Sequence, residues 1–248
     1  MTAAVAIVRI TIRQVAGLRR LIGLGLLALL PALVMAMSSD GSSDAAAFRT
    51  FHGTPMSIMF LIVLPIVSLV MGASTLGDER SDHTLSFLTL RPLRRESIAA
   101  AKLLGAWLPA LFITAGGGAI AAAVLGIQSG AWEVLGPTIL AAAVSSLAYV
   151  SVFMVLGYIT SRAVLIGLAY LFIWESGISL VADSLATVSL FRIGLSAYVG
   201  LVPDAAHLLG DPLGGLTPGA GGAIFKAVVI GVLAVGFTAL LLRRQDAM

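Results

Sequence analysis

Cysteine is absent from all 248 residues, which removes disulfides, iron–sulfur clusters, thiolate zinc sites and cysteine nucleophiles together. Asparagine is absent too, so there is no N-glycosylation acceptor and no paired Asn-Pro-Ala loop of a water channel. Lysine occurs only as Lys102 and Lys226, preceded by Ala101 and Phe225. A phosphate-binding loop needs Gly-Lys-Ser/Thr so that backbone amides and the lysine cradle the phosphates, and neither lysine supplies it. ATP hydrolysis by that route is excluded for this chain. Charge is scarce as well: 11% of residues are charged, against about 25% in an ordinary soluble domain. The net excess of +3 is too small to suggest a nucleic-acid partner.

What is present is apolar. Hydrophobic residues make up 59% of the chain, and the 27 glycines raise the apolar share to about 70%. A soluble fold sits near 45–50% on the same count, and a compact fold could not hide the surplus. The composition therefore predicts an all-α integral membrane protein. Runs of roughly 17–25 apolar residues can cross the bilayer as helices. Six occur, at 21–37, 56–77, 103–127, 134–159, 163–182 and 223–242. They are continuous, not alternating, which excludes a closed barrel. Together they predict one transmembrane domain over 1–248.

Basic residues set the expected orientation. Arg9, Arg13, Arg19, Arg20, Arg80, Arg91, Arg94, Arg95, Lys102, Arg162, Arg243 and Arg244 fall on one side, against Arg49, Arg192 and Lys226 on the other. Both termini are thus expected in the cytoplasm, with the chain a multi-pass protein of the inner (plasma) membrane. The apolar stretch from Ser189 to Val202 is only 14 residues long and contains Arg192. Counting it as a span would put Arg243 and Arg244 outside. Residues 184–202 are expected instead as an interfacial or re-entrant helix within an outer loop, 183–222.

Two segments outside the spans have a pattern of their own. On a helix over 4–20, Arg9, Arg13 and Arg20 fall within about 40° of one another, opposite Ile7, Val15 and Leu18. That suits an N-terminal helix, within 1–20, lying at the headgroup layer; the plainer reading is a basic anchor that only fixes topology. The loop 78–102 is the most densely charged part of the chain, with Asp78, Glu79, Arg80, Asp82, Arg91, Arg94, Arg95, Glu96 and Lys102. Ser81 or Asp82 can cap a short helix over 83–90, and Arg91-Pro92 would end it. Leu85 and Leu88 then share one face, as on a docking surface for a soluble partner; a solvated loop is the bland alternative.

The run Gly-Asp-Glu-Arg-Ser-Asp-His-Thr-Leu-Ser-Phe-Leu-Thr-Leu-Arg-Pro-Leu-Arg-Arg, which starts at Gly77 and is followed by Lys102, resembles the permease subunits of type-two ABC exporters. Glu79, Thr84, Leu85, Pro92, Arg95 and Lys102 match that family's pattern, while His83 replaces a usual glycine and Arg94 a usual serine. The six spans, surface helix, long second loop and long fifth loop match as well. The resemblance implies a transport subunit without its own ATPase. Two such subunits, identical or paralogous, would form the pathway. Two cytoplasmic ABC ATPases, carrying the ATP and magnesium, would dock on a coupling helix within 79–90. Closure of the ATPases would then move spans one to three and alternate access.

Glu175, in Ile173-Trp174-Glu175-Ser176, is the only acid well inside an expected span. Ionisable groups in hydrocarbon usually face protein or water and often mark function. It reads as a pathway or gate residue, or as a structural partner of Lys226. A Trp-Glu pair in span five is also similar to the exporter family. Gly116, Gly117 and Gly118, with Pro31, Pro65 and Pro109, read as close-packing and kink positions or as hinges. Met35, Met37, Met56 and Met59 lie near His52. Thioethers suit Cu(I), and they also serve as ordinary apolar filler.

An intramembrane serine protease is excluded, because it needs Gly-x-Ser-Gly and a histidine within the membrane. His52, His83 and His207 lie outside the expected spans. A gradient-driven secondary transporter would place several ionisable groups near the midplane, where Glu175 stands almost alone. A scaffold that only recruits a partner through 78–102 is the third reading. The few charges in the spans fit a lipophilic or amphipathic cargo.

Overall fold

The computed structural model of the chain describes residues 3–38, 43–81, 94–178, 189–209 and 219–245. These are helical, with no strand among the described residues. Five helices are long and apolar enough to cross a bilayer: α2 (Leu18–Met37), α3 (Asp44–Arg80), α4 (Arg95–Ser129), α5 (Trp132–Ile159) and α8 (Gly219–Gln245). The N-terminal helix α1 (Ala3–Val15) precedes them. Between α5 and α8 come α6 (Ala163–Tyr170), which runs on as a wider π-helical segment (Leu171–Ile178), and α7 (Leu190–Val199).

The N-terminal helix is shorter than its charge pattern suggests. Ile7, Thr11 and Val15 recur at four-residue spacing and are buried, while Arg9 and Arg13 are exposed. The buried stripe lies along α4, where Gly105 permits the approach: a Cβ there would sit 2.6 Å from the Thr11 Cβ. The helix stops at Val15, and Gly17 turns the chain with extended geometry into α2. Leu18 therefore does not complete the apolar face of α1. It opens the next helix and is 74% exposed.

Hydropathy marks where hydrocarbon lies; it does not mark where a helix ends. At 1.5 Å per residue, the 37 residues of α3 reach about 55 Å, well beyond a hydrocarbon core of about 30 Å. The extra length lies mostly before residue 56, in a less apolar stretch that stays helical. Within α3 the pairing widens to a π-helix over Ile58–Val63. Pro65 supplies no amide donor to the carbonyl four residues earlier, so the ladder just before it must find other partners. In α2 the regular helix is interrupted at Leu29, between Leu18–Ala28 and Leu30–Met37, where Pro31 has the same effect.

The core forms where backbones come closest. Between α3 and α5, a Cβ on Gly157 would meet the Ala73 carbonyl oxygen at 2.2 Å, and one on Gly72 would meet the Val150 oxygen at 2.9 Å. Such small residues allow van der Waals contact between helices that lipid does not drive together. Gly117 of α4 likewise faces the Ala28 carbonyl, at the interruption in α2, and Gly118 faces Thr138 and Met59. The helix runs unbroken through all three glycines, from Arg95 to Ser129. Two of the three thus serve contact, and Gly116 has open space beside it.

Helix α7 is not laid across the surface. All of its residues but Arg192 are buried, and Gly194 faces Ser145 and the Phe60 ring. Ser189 caps its start by accepting from the Arg192 amide. Gly200, just past its end, lies against the Ala220 amide at the start of α8. By contrast α2, α6 and α8 expose leucine, valine, isoleucine and phenylalanine freely. A continuous apolar face of that kind is stable against acyl chains, not water.

Candidate functional site

A group of charged residues gathers at one end of the bundle, and the junction begins with the last turn of α3. Consecutive residues on a helix point about 100° apart, so Asp78, Glu79 and Arg80 face three directions. Each finds a different helix. Asp78 accepts from both terminal nitrogens of Arg20 at the start of α2, at 3.2 Å. Glu79 accepts from the ammonium of Lys102 on α4, which also reaches the Gln14 side-chain oxygen of α1 at 3.4 Å. Arg80 donates to the carbonyls of Tyr158 and Ile159, at 2.5 and 2.6 Å, at the end of α5.

These contacts differ in weight. Lys102 is 1% exposed and Glu79 12%, so this pair lies mostly out of water. Each charge needs the other, because an unpaired ion there would lose hydration with nothing in return. Arg80 plays a separate part. The last carbonyls of any helix lack partners within it and carry the negative end of its dipole. A guanidinium set between two of them satisfies both and pins α5 to α3. Asp78 with Arg20 is about 40% exposed on each side, and Glu96 with Arg243, joining α4 to α8, is more open still. Exposed pairs of that kind contribute about 0–1 kcal/mol. Tyr158 adds a hydrogen bond from its hydroxyl to the Leu241 carbonyl of α8, at 3.3 Å.

Of the residues singled out from sequence, Glu79 and Lys102 are brought together. Arg95 is the first residue of α4, seven positions before Lys102 and so on the same helical face. Thr84, Leu85 and Pro92 lie outside the described residues, as does the expected helix over 83–90. Glu175 sits within the π-helical segment Leu171–Ile178, and its side chain lies outside the described ones. Lys226 is exposed on α8. The pairing partners Arg20, Gln14 and Glu96, and the role of Arg80 as a cap, carry no signal in the local sequence. Three consecutive charged side chains at a helix end are the one hint, since such a triplet cannot face a single neighbour.

At the opposite end His52 is buried inside α3. Its Nδ1 lies 2.7 Å from the Phe48 carbonyl, which can only accept, so Nδ1 carries the proton. Nε2 then accepts from the Tyr198 hydroxyl of α7 at 2.8 Å. Both ring nitrogens are engaged, and the histidine is a tie between α3 and α7. Met35, Met56 and Met59 are buried core residues, while Met37 is exposed. No ring nitrogen is left over for a metal beside them. A cavity of about 490 Å³ opens next to this tie, lined by His52, Met56, Leu61, Phe191, Leu195 and Leu209 among others.

A family model described as "ABC-2 family transporter protein" matches residues 18–182, from the start of α2 to just beyond the π-helical segment after α6. The chain belongs to the ABC-2 transporter family. It is accordingly a multi-pass membrane protein and a component of membrane transport. No curated protein matches it. The matched stretch contains the whole Asp78-Glu79-Arg80 junction and its partners on α2, α4 and α5, whereas Gln14 and the C-terminal helix lie outside it.

Proposed function

We propose that this chain is the membrane-spanning permease subunit of an ATP-driven exporter. Two copies, or one copy with a paralogue, would form the substrate pathway. Two cytoplasmic ABC ATPases would dock on the loop that leaves α3 after Arg80 and returns at Arg94. The observation that carries this reading is the fan of contacts at that loop's root. A force on the loop is applied to Asp78, Glu79 and Arg80 first, and these reach α2, α4 and α5 at once. The residue set Glu79, Thr84, Leu85, Pro92, Arg95 and Lys102 would make up the coupling region. Glu175 remains the candidate for the pathway or gate. The sequence lacks a phosphate-binding loop of its own, so a separate ATPase would be needed.

Chain threading supports six crossings and a shared side for both termini. Helix α5 ends, and α8 ends, at the junction. The start of α8 lies beside Gly200 at the other end. On this reading the chain would cross once more between Ile159 and Gly200. Helix α6 with its π-helical continuation is the segment available, at about 24 Å for 16 residues at helical rise. The concentration of arginines at the junction end favours the cytoplasm for that side.

The test is purification of the tagged chain from its native host in mild detergent. A near-stoichiometric soluble protein bearing Gly-Lys-Ser/Thr should travel with it and dissociate when Glu79 and Arg95 are replaced by glutamine and alanine. A chain that purifies alone, and moves solute in liposomes on an ion gradient without ATP, would refute the exporter reading.

A further inference from the structure

A second cavity, of about 190 Å³, lies at the arginine-rich end beside the junction. Its polar wall holds Arg20, Asp78, Thr160 and Ser161, and its floor includes Val70 and Val164. The geometry points to a binding site here for one zwitterionic phospholipid, with its phosphate on Arg20, its ammonium on Asp78 and an acyl chain leaving over Val164.

Three observations converge on that ligand. The first is the form of the ion pair. A closed arginine–carboxylate pair uses two nitrogens on two oxygens. Here both terminal nitrogens of Arg20 converge on Oδ2 of Asp78 at 3.2 Å. Oδ1 of Asp78 and Nε of Arg20 have no protein partner among the described residues. An acceptor and a donor of opposite charge are thus left side by side at the cavity mouth. A lone anion would meet Asp78 and a lone cation would meet Arg20, each unfavourably; a phosphate–ammonium pair satisfies both.

The second observation is exposure. Arg20 and Asp78 are 42% and 39% exposed, so a ligand can reach them without breaking the pair. Ser161 is also exposed and adds a hydroxyl. Thr160 accepts from the Arg162 amide at 3.1 Å through its hydroxyl oxygen, which leaves its O–H to donate to a phosphate. The third is the apolar exit. Val164 lines the cavity and is itself exposed on α6, a surface suited to acyl chains. A free phospho-amine would make no use of it. The cavity lies among helix ends, at Arg20, Asp78 and Thr160, where basic side chains of membrane helices reach the headgroup layer. The inference needs only that placement, so it stands apart from whether an ATPase drives the chain.

The full chain, delipidated in detergent, is offered phosphatidylethanolamine and phosphatidylglycerol together, and native mass spectrometry counts retained lipid. Wild type should retain phosphatidylethanolamine with a preference of about tenfold, the ratio that one charge-assisted contact of about 1.4 kcal/mol gives. Asp78→Asn should lose the preference, and Arg20→Gln should lose retention of both lipids. Ser161→Trp fills the cavity while leaving every ion pair in place, and it should reduce retention even if the charge variants fold poorly. Equal retention of the two lipids by wild type would overturn the proposal, as would a preference unchanged in all three variants. Displacement of the lipid by millimolar free O-phosphoethanolamine would assign the site to a soluble ligand and overturn it as well.

Discussion

Lys102→Met is the sharpest probe of the junction, because it keeps the aliphatic stem packed and removes only the charge. Lys102 is 1% exposed and Glu79 12%, so the carboxylate left behind is largely out of water. Two unit charges 4 Å apart attract by about 4 kcal/mol at the effective dielectric typical near a protein surface. Loss of hydration offsets part of that gain, and it persists for Glu79 once the Lys102 charge has gone. Breaking one side of a buried pair costs about 3–5 kcal/mol by precedent. Glu79→Gln should be milder, at about 1–3 kcal/mol, since a neutral amide oxygen can still accept from Lys102 beside the Gln14 oxygen.

The double variant is the informative one. With both charges removed, the Glu79–Lys102 pair is taken out as a whole instead of being broken on one side, so Lys102→Met with Glu79→Gln should be more stable than Lys102→Met alone. Thermal unfolding in mild detergent, followed by circular dichroism, reads all four corners of the cycle. For a chain of this size, about 3 kcal/mol corresponds to a fall in Tm of about 6–12 °C. A Lys102→Met variant within 2 °C of wild type, roughly the yield of 1 kcal/mol or less, would refute the reasoning. Strictly additive single effects would refute it too, because the argument rests on coupling between the two groups.

Arg80→Met should cost about 1–3 kcal/mol by uncapping the Tyr158 and Ile159 carbonyls, and should also lower coupled ATPase activity of the assembled transporter; thermal unfolding and ATPase assays check the two parts. Gly157→Ala places a Cβ 2.2 Å from the Ala73 oxygen and should destabilise by about 1–3 kcal/mol. Gly116→Ala meets nothing within 4 Å and should hold or raise the unfolding temperature, by up to about 1 kcal/mol of helix propensity. Tyr198→Phe strips the donor from the buried Nε2 of His52 and should cost about 1–3 kcal/mol in the same melt.

The membrane class and most of the spans were legible because hydrocarbon imposes a length and a composition on any helix within it. Four expected spans fall inside the long helices α2, α3, α4 and α5, and 223–242 falls inside α8. Residues 44–55 of α3 were not legible, since that stretch is helical without being strongly apolar. Leu18 misled for the opposite reason: its angle fits the apolar face of α1, but Gly17 ends that face's continuity. The family resemblance singled out Glu79 and Lys102 as residues, but not their contact with each other. These two are 23 residues apart, and Arg20–Asp78 and Arg80–Tyr158 are 58 and 78 apart. No local pattern encodes such contacts, because packing creates them once the helices are side by side.

The distribution of these contacts bears on which helices could move together. A lever of spans one to three, as the family resemblance implies, would use the ties of Asp78 to α2 and Glu79 to α4. Arg80 extends that body. Its contacts with the Tyr158 and Ile159 carbonyls, together with the glycine-mediated approach of α3 and α5, bind the fourth helix at least as firmly. Helix α1 is joined as well, through Gln14 and the Thr11–Gly105 approach. Among the described residues, the polar ties of α8 at this end are the solvent-exposed Glu96–Arg243 pair and one long tyrosine hydrogen bond, both weaker than the buried junction contacts. A pull on the loop should therefore carry α1 to α5 as one unit, with slip expected at α8. Paired spin labels across α3–α5 and α4–α8, compared with and without nucleotide on the partner ATPase, separate the alternatives. A constant α3–α5 distance with a changing α4–α8 distance supports the larger unit; the reverse pattern would sink it.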